Sequence, residues 1–438
     1  MHNPVEDWPA WPEMTHENGE LHPDNVKIKK EIAAEYGQDA LRRSWIAVCN
    51  KLNAVTQEIT EKRTSMIREV TYDEFFKLSD QEKEQLKEVG CFVVRGTIPE
   101  ETANAWFQDL QNYVEENKDA ITGKATGWPA ETPYILQLYW TRAQLEARTH
   151  PRSMALHRAL NLYWHDDEDP DKEFADPLAY ADALRIRPPG IPFTGLGPHI
   201  DAGSLCRWGD LEYRKVYDKI WAGKPEEYDP YDLTHRKRAD PAFYPGDAQS
   251  HVLRAFQGWT ALTPAGAQEG SLLLYPDVKS LIAYVLLRPF FQPPQSRDDI
   301  LDAEKWSLDL DDPWFPGVWR HTPQEMSPEP FPHLKLKDCL VNIPPMYPGD
   351  TVWWHCDMCH AVEAEHKGKG ISSVVYVAAT PTTDINVQYM KGQLKDFLDG
   401  VSPEDFRGGC YEKTLKGFPG ESAILNGQEG RRAVGFAL

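Results

Sequence analysis

Two short stretches, about 160 residues apart, constrain this chain more than any other feature. Residues 197–203 read Gly-Pro-His-Ile-Asp-Ala-Gly. Since residues i and i+2 of a β-strand point to one face, His199 and Asp201 are predicted to lie side by side. Residues 347–362 contain a Pro-Gly-Asp turn, an apolar strand and then His360. Two histidines and one carboxylate on one face of a metal suit non-haem Fe(II). We therefore predict that His199, Asp201 and His360 bind one iron ion.

The order of these stretches resembles that of the Fe(II)/2-oxoglutarate-dependent oxygenase superfamily, and within it the phytanoyl-hydroxylase-like layout. Residues 86–96 are similar to the entry strand of that family, which follows a helix. Residues 256–264 and 269–277 are similar to its paired strands in the middle of the barrel. The likeness covers roughly residues 75–390. Four segments in the right order are more specific than the metal motif alone.

Two runs, Trp-Trp-His-Cys-Asp-Met at 353–358 and Phe-Gln-Gly-Trp at 256–259, more narrowly resemble a group known as DUF1479. The superfamily resemblance implies Fe(II) as cofactor and 2-oxoglutarate as cosubstrate, which is decarboxylated to succinate while O2 oxidises a small-molecule substrate. It also favours His360 over His355 and His366 as the second imidazole ligand, because the distal histidine of the family lies about this far beyond the Gly-Asp turn.

The fold class predicted from this likeness is mainly β with flanking helices, around a double-stranded β-helix (a jelly-roll, cupin-like core). We expect an N-terminal arm and helices at 1–70, packed on the core. The oxygenase domain, with long insertions, is expected at 71–390, and a C-terminal helix and tail at 391–438. Apolar residues recur at helical spacing between Asn25 and Arg68, with Gly37 predicted to separate two helices.

The run Cys356-Asp357-Met358-Cys359-His360 also matches the attachment pattern of c-type haem, and its cysteine pair suits zinc. Haem attachment requires export, and the N-terminus has no apolar signal segment. A structural zinc site usually needs a second pair of ligands, and the sequence has no other C-x-x-C. We expect Cys356 and Cys359 to pack beside the metal strand.

The chain departs from the family in one respect. Many members carry an arginine shortly after the distal histidine, where it pairs with the far carboxylate of 2-oxoglutarate, and residues 365–376 contain none. A cation must meet that carboxylate, since an unpaired charge in a dry pocket is costly. The candidates are Arg185, Arg187, Arg207, Arg254 and Lys369. We favour Arg254 over Lys369, and we assign Trp259 to the same cofactor pocket.

Charge and composition limit the possible partners. The net charge of −21 argues against binding a nucleic acid over a broad surface. Seven scattered cysteines give no disulfide framework. No apolar run reaches the length that spans a bilayer, so no membrane is expected. The expected setting is cytoplasmic, and the expected partners are a small-molecule substrate and O2. The sequence leaves the substrate and the oligomeric state open.

Three functions are compatible with these observations. The first is an Fe(II)- and 2-oxoglutarate-dependent oxygenase of the hydroxylase type, a non-haem iron dioxygenase. The second is a cupin-like barrel that binds a metal or ligand without oxygenase activity. The third is a metal-dependent cupin enzyme that does not use 2-oxoglutarate. The ordered set of four segments favours the first.

Overall fold

The computed structural model describes residues 11–121, 127, 133–169, 171–191, 196–246 and 250–438. Helices occupy both ends of the chain and many connections between strands. The α-helices are α1 (Pro23–Tyr36), α2 (Gln38–Lys62), α3 (Tyr72–Phe75), α4 (Asp80–Val89), α5 (Glu100–Glu116), α6 (Arg142–Thr149), α7 (Pro151–Asn161), α8 (Cys206–Gly209), α9 (Leu211–Val216), α10 (Asp218–Trp221), α11 (Val278–Leu287), α12 (Leu336–Cys339), α13 (Asp384–Asp399) and α14 (Gly427–Val434).

The β-strands are short, apart from one of ten residues. They are β1 (Arg68–Thr71), β2 (Cys91–Arg95), β3 (Ile135–Leu136), β4 (Pro177–Leu178), β5 (Leu184–Arg187), β6 (His199–Ile200), β7 (Phe256–Ala261), β8 (Leu272–Leu274), β9 (Phe291–Gln292), β10 (Ser307–Leu308), β11 (Gln324–Glu325), β12 (Val341–Asn342), β13 (Thr351–His355), β14 (His360–Val362) and β15 (Ser372–Pro381).

The N-terminal helices form where the sequence predicts them. Gly37 separates α1 from α2 with a φ of 91°, which favours glycine. Trp45 of α2 stacks on Tyr284 of α11 and on Phe291, with ring centroids 5.2 and 4.6 Å apart. The N-terminal helices therefore pack on α11. In the arm before them, Trp11 packs against the core, and the predicted docking of Trp8 lies outside the described residues.

Two capping boxes define the starts of the helices α3 and α4, which lie between the strands β1 and β2 in the sequence. Thr71 accepts from the backbone of Glu74 at the start of α3, and Ser79 accepts from that of Glu82 at the start of α4. In both, the glutamate side chain accepts in return from the N-cap backbone N–H. Two backbone N–H groups that lack a partner within the helix are thus hydrogen-bonded at each helix start. The α4 helix ends at Gly90 and leads directly into the buried strand β2.

The large sheet has the strand order β1-β2-β13-β7-β15-β5-β3, with β4 paired to β15. All its pairings are antiparallel except that of β1 with β2. Its two faces differ, because side chains alternate along a strand. On β15, Val375 and Val377 pack in the apolar layer formed with α5 to α7, while Val374 and Tyr376 pack on the other side. We call that second side the inner face.

The small sheet, with the order β11-β6-β14-β8-β12, lies against the inner face of the large one. Ile200, Leu274 and Ala361 of the small sheet share one buried apolar cluster with Val374 and Trp259 of the large sheet. All pairings in the small sheet are antiparallel. The two motifs singled out in the sequence lie on neighbouring strands of this sheet, since His360 of β14 is the register partner of His199 of β6.

The described residues of the two long insertions, at about 209–249 and 290–345, form short helices, turns and two-residue strands rather than large elements. Part of the first insertion packs against the second motif, where Arg236 contacts Asp357. Among the described residues, no helix is long and apolar enough to cross a bilayer.

Candidate metal centre

The structure brings His199, Asp201 and His360 together between the two sheets. The Nε2 atom of His199 lies 3.4 Å from one carboxylate oxygen of Asp201, and the Nε2 atom of His360 lies 3.6 Å from the other. The two imidazole centroids are 4.2 Å apart. One potential ligand atom from each residue lies within 4.8 Å of the other two. The strand β6 ends at Ile200, one residue earlier than the predicted strand, yet the two side chains still converge.

Backbone carbonyls set the tautomers of both histidines. Nδ1 of His199 donates to the carbonyl of Gly197 at 2.7 Å, and Nδ1 of His360 donates to that of Met358 at 3.1 Å. In the neutral rings both Nε2 atoms are then unprotonated acceptors. They face a carboxylate, which is also an acceptor. Two imidazole nitrogens and a carboxylate oxygen arranged in this way are a donor set that fits a divalent metal.

The charge states of Asp201 and His360 agree with a metal-binding role. Burial acts to raise the pKa of Asp201, but the two imidazoles hold it well below its usual range. Burial lowers the pKa of His360, and the charge of His199 lowers it further. For His199, burial is outweighed by Asp201, and the pKa is raised. The ionised Asp201 and the neutral His360 are therefore in the form that binds a metal, whereas the raised pKa of His199 favours a protonated ring that must lose a proton to bind one.

Gln257 and Trp354 support the cluster from the inner face of the large sheet, and the sequence motifs did not identify this role for either. Gln257 donates to Asp201 at 2.7 Å through its amide nitrogen and accepts from the indole of Trp354 at 3.0 Å. The Trp354 ring also packs on His360, with centroids 5.1 Å apart. The signal was present in the alternation of β7 and β13, whose inward positions include these two residues.

A strained turn follows Asp201. Ala202 and Gly203 both have positive φ, 55° and 64°. A Cβ at Gly203 would lie 2.7 Å from the Tyr213 hydroxyl, so the position requires glycine. A left-handed conformation at a non-glycine residue such as Ala202 costs on the order of 1–3 kcal/mol and often marks a functional site. The turn directs the chain into α8, which returns Arg207 to within 3.4 Å of the Asp201 carbonyl oxygen.

A second group of metal-binding residue types, His355, Cys356 and Asp357, has the same compactness. Its polar atoms already have protein partners. His355 donates to the Pro230 carbonyl at 3.0 Å and accepts from the Asp357 amide at 3.0 Å. Arg236 contacts the Asp357 carboxylate at 2.6 Å. Burial acts to raise the pKa of Asp357, but Arg236 and Arg207 hold it below its usual range. This group is an internal ion-pair network.

The cysteines pack as the sequence predicts. Cys359 is fully buried beside β14, and Cys356 is partly buried. Burial raises the pKa of the Cys356 thiol to about 12. All seven cysteines of the chain are unpaired. A buried neutral thiol is a poor metal ligand, since the thiolate is the binding form.

The cosubstrate candidates lie in different environments. Arg254 is next to the metal cluster, 4.0 Å from Asp201 and 3.6 Å from Asp182. Arg185 is buried on the inner face and contacts Ser372 at 3.3 Å. Arg187 donates to the carbonyls of Glu363 and Ala364 at 2.8 and 2.9 Å.

Two further cofactor candidates, Lys369 and Trp259, differ sharply in exposure. Lys369 is exposed in a turn before β15. Trp259 is buried on the inner face, opposite Tyr376 of β15. Their roles at the cofactor remain predictions.

Comparison with known proteins identifies the family of this chain. A family model described as Gig2-like matches residues 20–436, so the chain belongs to the Gig2-like family. The chain is 32% identical over 365 residues to protein YbiU of Escherichia coli K12, covering 81% of this chain and 82% of YbiU.

Two solved structures have the same overall fold. The GlcNAc-inducible protein GIG2 of Candida albicans, a DUF1479 protein, has a TM-score of 0.82 and 28% identity, over 98% of this chain and 90% of that chain. Hypothetical protein JW0805 of Escherichia coli has a TM-score of 0.79 and 27% identity, over 97% of this chain and 100% of that chain. The narrower resemblance predicted from the sequence, to DUF1479, is thereby confirmed.

Proposed function

We propose that this protein is an Fe(II)- and 2-oxoglutarate-dependent oxygenase that acts on a small molecule. One observation carries the proposal: two imidazole nitrogens and a carboxylate oxygen converge between the sheets, each within 4.8 Å of the other two. Two histidines and one carboxylate leave further positions of an iron open to cosubstrate and oxygen.

In this proposal the two facing sheets are the halves of a double-stranded β-helix. The arrangement of the ligands supports this interpretation. His199 and His360 lie on paired strands of the small sheet, while Gln257 and Trp354 reach the cluster from the large sheet. A metal held between two sheets on short strands gains rigid placement from both, which a site on loops would lack.

His199, Asp201 and His360 would hold the metal. Fe(II) with 2-oxoglutarate supplies O2 activation for the oxidation of a substrate carbon. The residues of this chain supply orientation: Gly197 and Met358 fix the imidazole rings, and Gln257 fixes the carboxylate. Such outer hydrogen bonds hold metal ligands in place and raise their basicity.

Arg185 is the better anchor for the far carboxylate of 2-oxoglutarate, in place of Arg254, which the sequence favoured. Arg185 is 2% exposed and has no carboxylate within ion-pair distance among the described residues. Arg254 already lies between Asp182 and Asp201. A buried guanidinium without a counter-ion is costly, and a bound carboxylate would remove that cost.

The location of Arg185 also fits. It is the register partner of Val374 on β15, the strand that follows His360. In many members of the oxygenase superfamily, the arginine that binds 2-oxoglutarate comes shortly after the distal histidine. Burial raises the pKa of the nearby Tyr376, which also experiences the charges of Arg185 and Asp201. Tyr376, on the inner face of β15, is therefore close enough to the proposed anchor to be affected by its charge.

Anaerobic titration of the Fe(II) protein with 2-oxoglutarate tests the proposal. We expect a visible charge-transfer band that saturates with 2-oxoglutarate. Arg185→Met should weaken its binding about tenfold or more, the value of a charged hydrogen bond, while Fe(II) stays stoichiometric. Lys369→Ala, an exposed position, is the matched control and should leave binding unchanged. Bound iron without any band would instead favour a metal-binding barrel or a cupin enzyme that does not use 2-oxoglutarate. A normal titration in Arg185→Met with a weakened one in Arg254→Met would return the anchor to Arg254.

A further inference from the structure

A pocket next to the metal cluster is lined by three arginines from separate parts of the chain. Arg207 lies on α8, Arg236 lies in a short 3-10 helix, Arg236–Arg238, and Arg254 lies two residues before β7. Asp201 and Gln257 line the same pocket. A group bound there would therefore lie beside the carboxylate that is proposed to hold the metal.

Two of these arginines are buried with incomplete partners. Arg207 and Arg236 are 1% and 2% exposed and share a single carboxylate, that of Asp357. Arg236 contacts it closely, at 2.6 Å, but Arg207 lies 3.5 Å away. The Nε and Nη1 atoms of Arg207 and the Nε atom of Arg236 have no hydrogen-bond partner among the described residues. Buried donors of this kind are normally satisfied.

The charges around the pocket do not cancel once Asp201 is assigned to the metal. The three arginines carry three positive charges, and the carboxylates beside them, Asp357 and Asp182, carry two negative charges. One positive charge is left over next to a divalent cation. In a protein with a net charge of −21, such a local excess of buried cations needs a specific explanation.

We propose that the substrate of this centre carries an oxyanion, a carboxylate or a phosphate, that binds Arg207 and Arg254 in this pocket. The inference rests on the proposed function and adds the substrate class. Asp357 orients Arg236 and Arg207 from behind, so the guanidinium groups are held in place before the ligand arrives. Arginine suits this role because its planar fork makes charge-assisted hydrogen bonds to oxyanions.

Titration with simple anions tests the pocket directly. The full-length protein is loaded with Mn(II), which is paramagnetic, and titrated with sodium phosphate or sodium acetate, with sodium chloride as the ionic-strength control. Nuclear relaxation of the anion by Mn(II) reports binding near the metal. The melting temperature of the metal-free protein in the same titrations reports binding that does not depend on metal.

We expect phosphate, acetate or both to bind more tightly than chloride, and the anion that binds identifies the group on the substrate. Arg207→Met and Arg254→Met should each weaken binding about tenfold or more. Arg238→Met is the matched control: Arg238 lies on the same 3-10 helix as Arg236, but it is 43% exposed and pairs with Glu168. Its removal should change nothing. Arg254 borders solvent, so Arg254→Met carries the test if Arg207→Met does not fold.

The possible failures are distinguishable. Stoichiometric Mn(II) with no anion binding beyond chloride would overturn the pocket and leave the metal assignment intact. Equal weakening in Arg238→Met and Arg254→Met would also overturn it, because the effect would then be one of general charge. Anion-dependent stabilisation that is lost in Arg254→Met, in a protein that binds no Mn(II), would support the pocket and overturn the metal assignment.

Discussion

Two groups of three metal-binding residue types lie within one small region of the molecule, and they differ in what surrounds them. In the group of His199, Asp201 and His360, backbone carbonyls accept from Nδ1 of each ring. The Nε2 atoms are left facing the Asp201 carboxylate. In the group of His355, Cys356 and Asp357, arginines and backbone groups occupy the polar atoms. The residue types are nearly the same, so the supporting hydrogen bonds decide which group can bind a metal.

The largest expected contrast is in metal binding after the same substitution at two histidines. His360→Phe removes a proposed ligand, so its loss should exceed the roughly 10–100-fold drop in affinity that removal of an outer partner causes. His355→Phe should retain stoichiometric Fe(II), because the His355 ring is held by Pro230 and Asp357 instead. Metal analysis of both proteins after gel filtration measures this. Full iron in His360→Phe with loss in His355→Phe would move the ligand to His355.

The free energy of unfolding should depend more on the second group, through Asp357, than on the first group, through Asp201. Asp357→Asn leaves Arg236 and Arg207 buried without a counter-ion, which costs about 3–5 kcal/mol of unfolding free energy. Asp201→Asn should lose metal, yet change the unfolding free energy of the metal-free protein by less than Asp357→Asn does. Denaturant unfolding in the presence of a chelator measures both. An Asp357→Asn protein as stable as the wild type would contradict the ion-pair interpretation.

Acid should lower stability in part through His355, one of three buried histidines whose pKa burial lowers strongly. Burial first, then Arg236, lowers the pKa of His355 from 6.5 to about 4, so the folded state keeps the ring neutral. The stability this confers is fully present above pH 6.5 and is lost as the pH falls towards 4. The loss amounts to about 3 kcal/mol, at 1.36 kcal/mol per pKa unit. His355→Phe, whose ring retains stacking on Trp164, should have a shallower loss of stability between pH 7 and 5. An unchanged slope would show that other groups control it.

The smallest expected effect concerns the support of Asp201. Gln257→Leu removes the hydrogen bond to this carboxylate and leaves the Trp354 indole without its acceptor. Fe(II) affinity should fall about 10–100-fold, while the protein still folds. Competition with a chelator of known affinity measures the change. Gln257→Glu is the control, since it retains an acceptor for Trp354 but places a second negative charge beside Asp201. Unchanged Fe(II) affinity in Gln257→Leu would mean that the hydrogen bond to Asp201 plays no part in metal binding.

Local rules were enough to predict much of this molecule. The helix pair around Gly37, both capping boxes and strand β2 follow from short-range patterns, and the structure has each of them. The proximity of His199 and His360 was predicted from the order of the motifs. Without that order, no local pattern indicates a contact between residues so far apart in the sequence. The metal role of these residues remains a prediction.

The partners that separate the two groups were not predictable. Arg236, which pairs with Asp357, comes from an insertion with no periodic pattern, and Arg207 lies just before that insertion. No spacing rule relates either residue to Asp357. Arg185 was only one of five candidates in the sequence, because the register of β5 against β15, which positions it, is a tertiary property. Side-chain alternation tells which residues share a face but does not tell what else reaches that face.

The pairing of β6 with β14 has a consequence for the order of events during synthesis. His199 and Asp201 leave the ribosome about 160 residues before His360, and until β14 docks they form only part of the proposed ligand set. A two-residue strand such as β6 has little stability until its neighbours are in place. A growing chain would thus complete the candidate site only after most of the protein has been made. By then the two sheets that enclose this site are also present.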